Sequence, residues 1–207
     1  MAKDYASRNP QQLVKVSGKD TFVEIMNDAF GIGKVVINFA KYNDKAQAGS
    51  RITDQVNIYM DMDEALVLCH DIISGKIAGL AKIEKDKGKK YPDAIFTKLG
   101  GTSAKSLASK GKSRPDGMSE SRQFKIQPGA RADFMLVGEK GKGEENATGL
   151  IVPKSSETKV MVPFSSDDLK KLALVLQSNI QAYTVARYVD GSAMISPYQR
   201  DKQAKAN

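Results

Sequence analysis

The two most reactive side chains of this 207-residue protein stand next to each other: Cys69 and His70 are its only cysteine and its only histidine. Neighbours on a helix diverge by about 100°, so the imidazole cannot act locally as base to the thiol. Cys69 reads as a core residue and His70 as a helix-surface residue. One cysteine excludes an internal disulfide, and no second Cys or His exists to complete a zinc site, which leaves only a carboxylate magnesium site as a metal option. The acids of "DMDE" (61–64) are better explained as helix-capping and dipole-balancing groups. "GEKGKGEEN" (138–146) lacks the strand-to-helix P-loop context and reads as a hairpin loop. No catalytic residue, metal or cofactor is expected.

Charge is more informative. Lys and Arg number 32 against 24 Asp and Glu, a net charge of +8, which favours polyanionic partners. Holding an unpaired nucleic-acid strand requires cations for its phosphates and rings on which its bases stack, each stack worth about 1–3 kcal/mol. The sequence interleaves the two. Phe96 and Lys98 share a strand face, with Lys105, Lys110, Lys112 and Arg114 in the loop beyond. Lys125 faces opposite to Phe124 and Ile126, and Lys41 with Tyr42 closes another strand. Arg122, Arg131, Lys140 and Lys142 add charge near the second half. Tyr42, Tyr91 and Phe96, beside polar loops, are the stacking candidates, whereas Phe39, Phe124 and Phe134 read first as core.

The elements that must carry these residues follow from periodicity. "GKVVINFAKY" is a strand by its β-branched and aromatic content. "QQLVKVS" suits a strand, and "DTFVEIMNDAF" either a strand or a short helix. In "RITDQVNIYM", Ile52, Val56, Ile58 and Met60 fall at even spacings, predicting a half-buried strand. A helix then starts at Asp61, with Glu64 at the capping-box position and an apolar face of Leu66, Leu68, Cys69, Ile72 and Ile73, and ends near Gly75. "KIEKDKGKKYPD" is a lysine-dense linker. "LASKGKSRPDGMSES" is too poor in large apolar groups to offset its ordering entropy and is expected to be a mobile basic loop. "RQFKIQ", "ARADFMLVGEK", "ATGLIVP" and "TKVMVPF" predict successive antiparallel strands, with "GKGEEN" a flexible connection. The strongest helix begins after Ser165, with Asp168 closing the capping box and Leu169, Leu172, Leu176 and Ile180 on one face.

The same order is written twice. At one constant offset Val160 falls on Val56, Val162 on Ile58, Phe164 on Met60 and Ser165 on Asp61. With two residues of slack, Leu172 and Leu174 match Leu66 and Leu68. Each half reads as several strands followed by one capped helix, so the expected fold class is α+β, two antiparallel β-sheets each followed by a helix in a pseudo-twofold internal duplication. The helical stripes would bury against one another and leave outer sheet faces free.

Across roughly residues 20 to 188, above all at "VNIYMDMDEALVLCHDI" and "KVMVPFSSDDLKKLALVLQSNI", this pattern resembles the Whirly proteins. It is also similar to the related transcriptional positive cofactor four family, which dimerises a single copy of the unit. The resemblance implies binding of single-stranded DNA without strong sequence preference, in replication, recombination or DNA transfer. Two other readings stay open: a structural or protein-interaction component, self-associating as a homo-oligomer or joining a partner, and an RNA-binding regulator. The expected organisation is a leader (1–19), one pseudo-symmetric domain (20–188, halves 20–83 and 122–188 around a basic linker and loop 84–121) and a polar basic tail (189–207). No run of about 18 apolar residues occurs and "MAKDYASRNPQQ" has no apolar signal core, so neither membrane insertion nor export is indicated and a cytoplasmic location is expected.

Overall fold

The computed structural model describes residues 9–47 and 49–188. Its first half turns β-branched and aromatic runs into β1 (Gln12–Ser17), β2 (Thr21–Met26), β3 (Lys34–Tyr42) and β4 (Ile52–Asp61), which pair antiparallel in chain order. Ile37 opposite Ile58 and Phe39 opposite Val56 fix the β3–β4 register, and a one-residue slip would turn every apolar side chain outward. β4 runs directly into α1 (Met62–Ile73). At Gly75 the backbone takes φ of 83°, a left-handed turn suited to glycine, and α2 (Lys76–Asp86) starts at the next residue.

The second half comprises β5 (Phe96–Thr102), α3 (Ala104–Ser109), β6 (Ser119–Pro128), β7 (Phe134–Glu145), β8 (Ile151–Pro153), β9 (Thr158–Phe164) and α4 (Ser166–Ala186). β5, β6 and β7 are antiparallel neighbours. Both β8 and β9 lie against β7, the first opposite its far end and the second opposite Phe134–Lys140. The described residues thus form an α+β fold of two antiparallel sheets and four α-helices. None of these helices is long and apolar enough to cross a membrane.

Strand alternation sets what lies between the sheets. Val56, Ile58 and Met60 of β4, and Val160, Val162 and Phe164 of β9, are all buried. They join Leu68, Cys69 and Ile72 of α1 and Leu169, Leu172, Leu176 and Ile180 of α4 in one core, each such side chain contributing roughly 1.5–3 kcal/mol on burial. The sheets approach closely where Phe39 lies on Gly138: a Cβ at Gly138 would stand 2.6 Å from two ring carbons of Phe39. Beside it Phe39 and Phe124 pack with ring centroids 5.9 Å apart. Cys69 is buried, which pushes its thiol up to about 11, and His70 is exposed.

Several expectations need correction. The first sheet begins at Gln12, inside the stretch read as leader, because β1 closes an edge of the β2–β4 meander. The linker opens as helix: α2 runs to Asp86 and buries Ile77 and Ala81. The expected mobile loop is ordered at its start as α3, where the Ser103 hydroxyl accepts the Ser106 N–H at 3.2 Å and Leu107 is buried. "GKGEEN" is largely strand, for β7 continues to Glu145; Gly141 and Gly143 leave room for the Ser155 carbonyl and the Ile151 side chain to cross the strand closely. Asp61 stands at the N-cap of α1 without capping it, since its carboxylate takes Lys34 at 2.5 Å and Glu64 takes Lys98 at 2.6 Å. In α4 the box forms: Ser165 Oγ accepts the Asp168 N–H at 3.1 Å and donates to its carboxylate at 2.7 Å. The tail read over 189–207 and the first eight residues of the leader lie outside the described residues.

Candidate nucleic-acid interface

On the outer face of the second sheet, alternation presents Gln127 of β6, Met135 of β7, and Met161 and Pro163 of β9. These residues floor a groove of about 720 Å³, and Lys90, Tyr91, Arg131 and Lys159 stand around it. Two connections hold the rim. The buried Glu84 carboxylate accepts the Asp93 N–H at 3.0 Å and pairs with Lys87, folding back the turn that carries Tyr91. Arg131 sits at the tip of the β6–β7 turn, closed by the Gly129 N–H to the Asp133 carbonyl at 3.1 Å. Asp133 accepts both the N–H and the hydroxyl of Ser166 at 2.7 Å, anchoring that turn to the start of α4. Those bonds hold the Asp133 carboxyl below its usual range.

Tyr91 is 78% exposed, with the Lys90 ammonium 5.4 Å from its ring centre. Among the described residues neither Lys90 nor Arg131 pairs with a carboxylate. Lys159 is 3.1 Å from Glu139, which also takes Lys125 at 2.7 Å. Burial is the largest influence on Glu139 and would raise its pKa, but the two lysines together outweigh it and hold the carboxyl ionised, below its usual range. An exposed ring, an apolar floor and unpaired cations are the parts needed to stack a base and meet a phosphate.

Of the residues singled out from sequence, the structure brings Tyr91 and Arg131 together at this groove, with Lys125 on the same sheet face beside it. Lys41 and Tyr42 lie elsewhere, at the end of β3. Tyr42 lines a smaller hollow of about 280 Å³ with Lys15, Phe22, Arg51 and Ile52. There the Lys15 ammonium stands 3.8 Å from the Phe22 ring centre, and Phe22 and Tyr42 are tilted rings 6.0 Å apart. Lys105, Lys110 and Lys112 are exposed on and after α3, and Lys140 lies on β7 beside Arg122 of β6.

Phe96 is not an open stacking platform: it is half-buried and packs edge-to-face on Phe124, centroids 5.6 Å apart. Five of the selected cations are occupied by carboxylates. Lys98 takes Glu64, Arg122 takes Glu120 at 2.8 Å, and Lys125 takes Glu139. Arg114 bridges Asp116 at 3.1 Å and Glu157 at 2.7 Å, and Lys142 reaches Asp116 at 3.4 Å. These pairs spend charge on the fold that a phosphate would otherwise receive.

Sequence reasoning missed Lys15, Arg51, Lys90 and Lys159 and the groove floor. For the floor the signal was present: the spacing that sends Val160, Val162 and Phe164 inward sends Met161 and Pro163 outward. No protein-family model, curated protein or solved structure matches this chain.

Proposed function

We propose that this protein binds single-stranded DNA with little sequence preference and acts in replication, recombination or DNA transfer in the cytoplasm, without a catalytic step. The groove formed by Tyr91 and Arg131 over Met135, Met161 and Pro163 carries this reading. An exposed ring accepts any base, because every base has a flat π-face, and unpaired cations at the rim accept the backbone whatever its sequence.

The architecture supports a Whirly-like duplication. In both halves antiparallel strands lead to a last strand that feeds a helix, β4 into α1 and β9 into α4, although the second sheet has β8 as an extra strand beside β9 on β7. The proposed equivalents Val56 and Val160, Ile58 and Val162, Met60 and Phe164 all face the core. A second reading, as a protein-interaction component or homo-oligomer, draws on apolar side chains left in solvent on the helices: Val67 at 62%, Ile83 at 60% and Leu174 at 54% exposure.

The test is anisotropy of a labelled oligodeoxythymidylate at low salt. Binding that weakens steeply with salt, resists duplex competitor of equal length and exceeds binding of the matching RNA is the expected result. Indifference to every nucleic acid, with self-association on light scattering, transfers the assignment to the second reading; preference for RNA makes the protein an RNA binder.

A further inference from the structure

The groove on the second sheet and the hollow on the first are separated by one residue. Pro163 lines the groove and Ser17 lines the hollow. Between them Gly18 lies so close to Pro163 that a Cβ there would be 3.2 Å from the proline Cδ. The β1–β2 turn is fastened at this seam from both sides. Thr21 Oγ donates to the Met161 carbonyl at 2.9 Å, and the Tyr42 hydroxyl donates to the Lys19 carbonyl at 3.2 Å. A hydrogen bond from the Gly18 N–H to the Thr21 carbonyl at 2.7 Å closes the turn. The seam is a fixed saddle on which Gly18 itself carries no side chain.

Resting on the reading above, we propose that the two depressions form one track, along which a single strand of DNA crosses from the second sheet to the first over Gly18. Each end offers a ring and two cations. At one end the exposed Tyr91 stands with Lys90 and Arg131; at the other the half-buried Tyr42, packed on the buried Phe22, stands with Lys15 and Arg51. Among the described residues none of those four cations makes an ion pair, unlike Lys98, Arg114 or Arg122. Lys19 is exposed on the saddle, and Asp20 is the acid beside it. An uninterrupted polyanion satisfies two separated cation pairs joined by a low crossing.

Two double variants of the full-length chain test the track: Lys90→Ala with Arg131→Ala at one end, and Lys15→Ala with Arg51→Ala at the other. All four side chains are exposed, and circular dichroism melts check that the variants fold. Affinity is measured over a salt series for oligodeoxythymidylates of about 5 and about 20 nucleotides, bracketing common single-strand site sizes. On a shared track each double variant loses about tenfold in affinity for the long oligonucleotide. Each also shallows its log–log salt dependence by roughly 1.4, the slope of two phosphate contacts on a single strand. The wild type holds the long oligonucleotide well above the short one. Loss in one variant only, or equal affinity for both lengths, overturns the track while leaving single-strand binding in place. Failure of the wild type to bind either oligonucleotide removes the underlying reading and the track with it.

Discussion

Where the two sheets press together, the two halves of the molecule have opposite shapes. Phe39 is the β3 partner of Val56, and Gly138 is the β7 partner of Val160. These positions correspond if the halves are copies, yet one carries a fully buried phenylalanine ring and the other no side chain at all. Two phenylalanines there would collide and two glycines would leave a hole. A ring seated on a bare backbone fills the space once, so the complementarity belongs to the pair of halves and to neither alone.

The sharpest way to break this asymmetry is Phe39→Ala, which leaves the Gly138 backbone facing a void and is expected to cost about 3–5 kcal/mol. Gly138→Ala attacks from the other side, placing a Cβ 2.6 Å from two carbons of a ring held in the core; overpacking of this kind costs about 1–3 kcal/mol. The two changes share one space, so they should not add. With Phe39 already truncated, Gly138→Ala should be milder by roughly 0.5–3 kcal/mol. Urea unfolding of the wild type, both single variants and the double variant measures the coupling, and additive costs would show that the ring and the glycine do not depend on each other.

The helix starts extend the comparison at smaller scale. Ser165→Ala removes a cap that the structure shows bonded to Asp168, and should cost about 1 kcal/mol. Asp61→Ala removes no cap. It breaks a half-exposed pair with Lys34, and pairs of that exposure are worth about 0–1 kcal/mol. The loss at Ser165 is therefore expected to exceed the loss at Asp61 in the same urea series; the reverse order would mean that the Lys34 pair matters more than its exposure allows.

The helix starts also show how far sequence reaches. At Ser165 and at Asp61 a short polar residue precedes an apolar period, with an acid three places on, and both were legible as N-termini. What the Asp61 and Glu64 carboxylates bind was not, because Lys34 and Lys98 arrive from strands 27 and 34 residues away along the chain. The same limit applies to the interface. Period-2 alternation located the core partners of β4 and β9, but the value of a cation depends on which acids fold beside it, and this separates Arg131 from Arg114. Glycine misled for a related reason. In "GKGEEN" it looks like flexibility, whereas Gly141 and Gly143 are small because another stretch of chain passes over them.

Acid should weaken the second half through a contact that sequence could not show. The Arg114 guanidinium beside Asp116, joined by the Met118 N–H, holds that carboxyl well below its ordinary value of 3.8. A carboxyl whose pKa is lower folded than unfolded contributes its full stability above the unfolded value and loses it as pH falls toward the folded one. The contribution of Asp116 is therefore intact at neutral pH and declines below about pH 4. Asp116→Asn keeps the shape and removes the charge, so its deficit relative to wild type should be largest near pH 7 and shrink as the pH drops through that window. The effect is small, because the group is exposed and its partners are screened, and added salt should reduce it further. Urea midpoints for both proteins between neutral and acid pH follow the difference; a gap of constant size would show that Asp116 stabilises by packing or hydrogen bonding, not by charge.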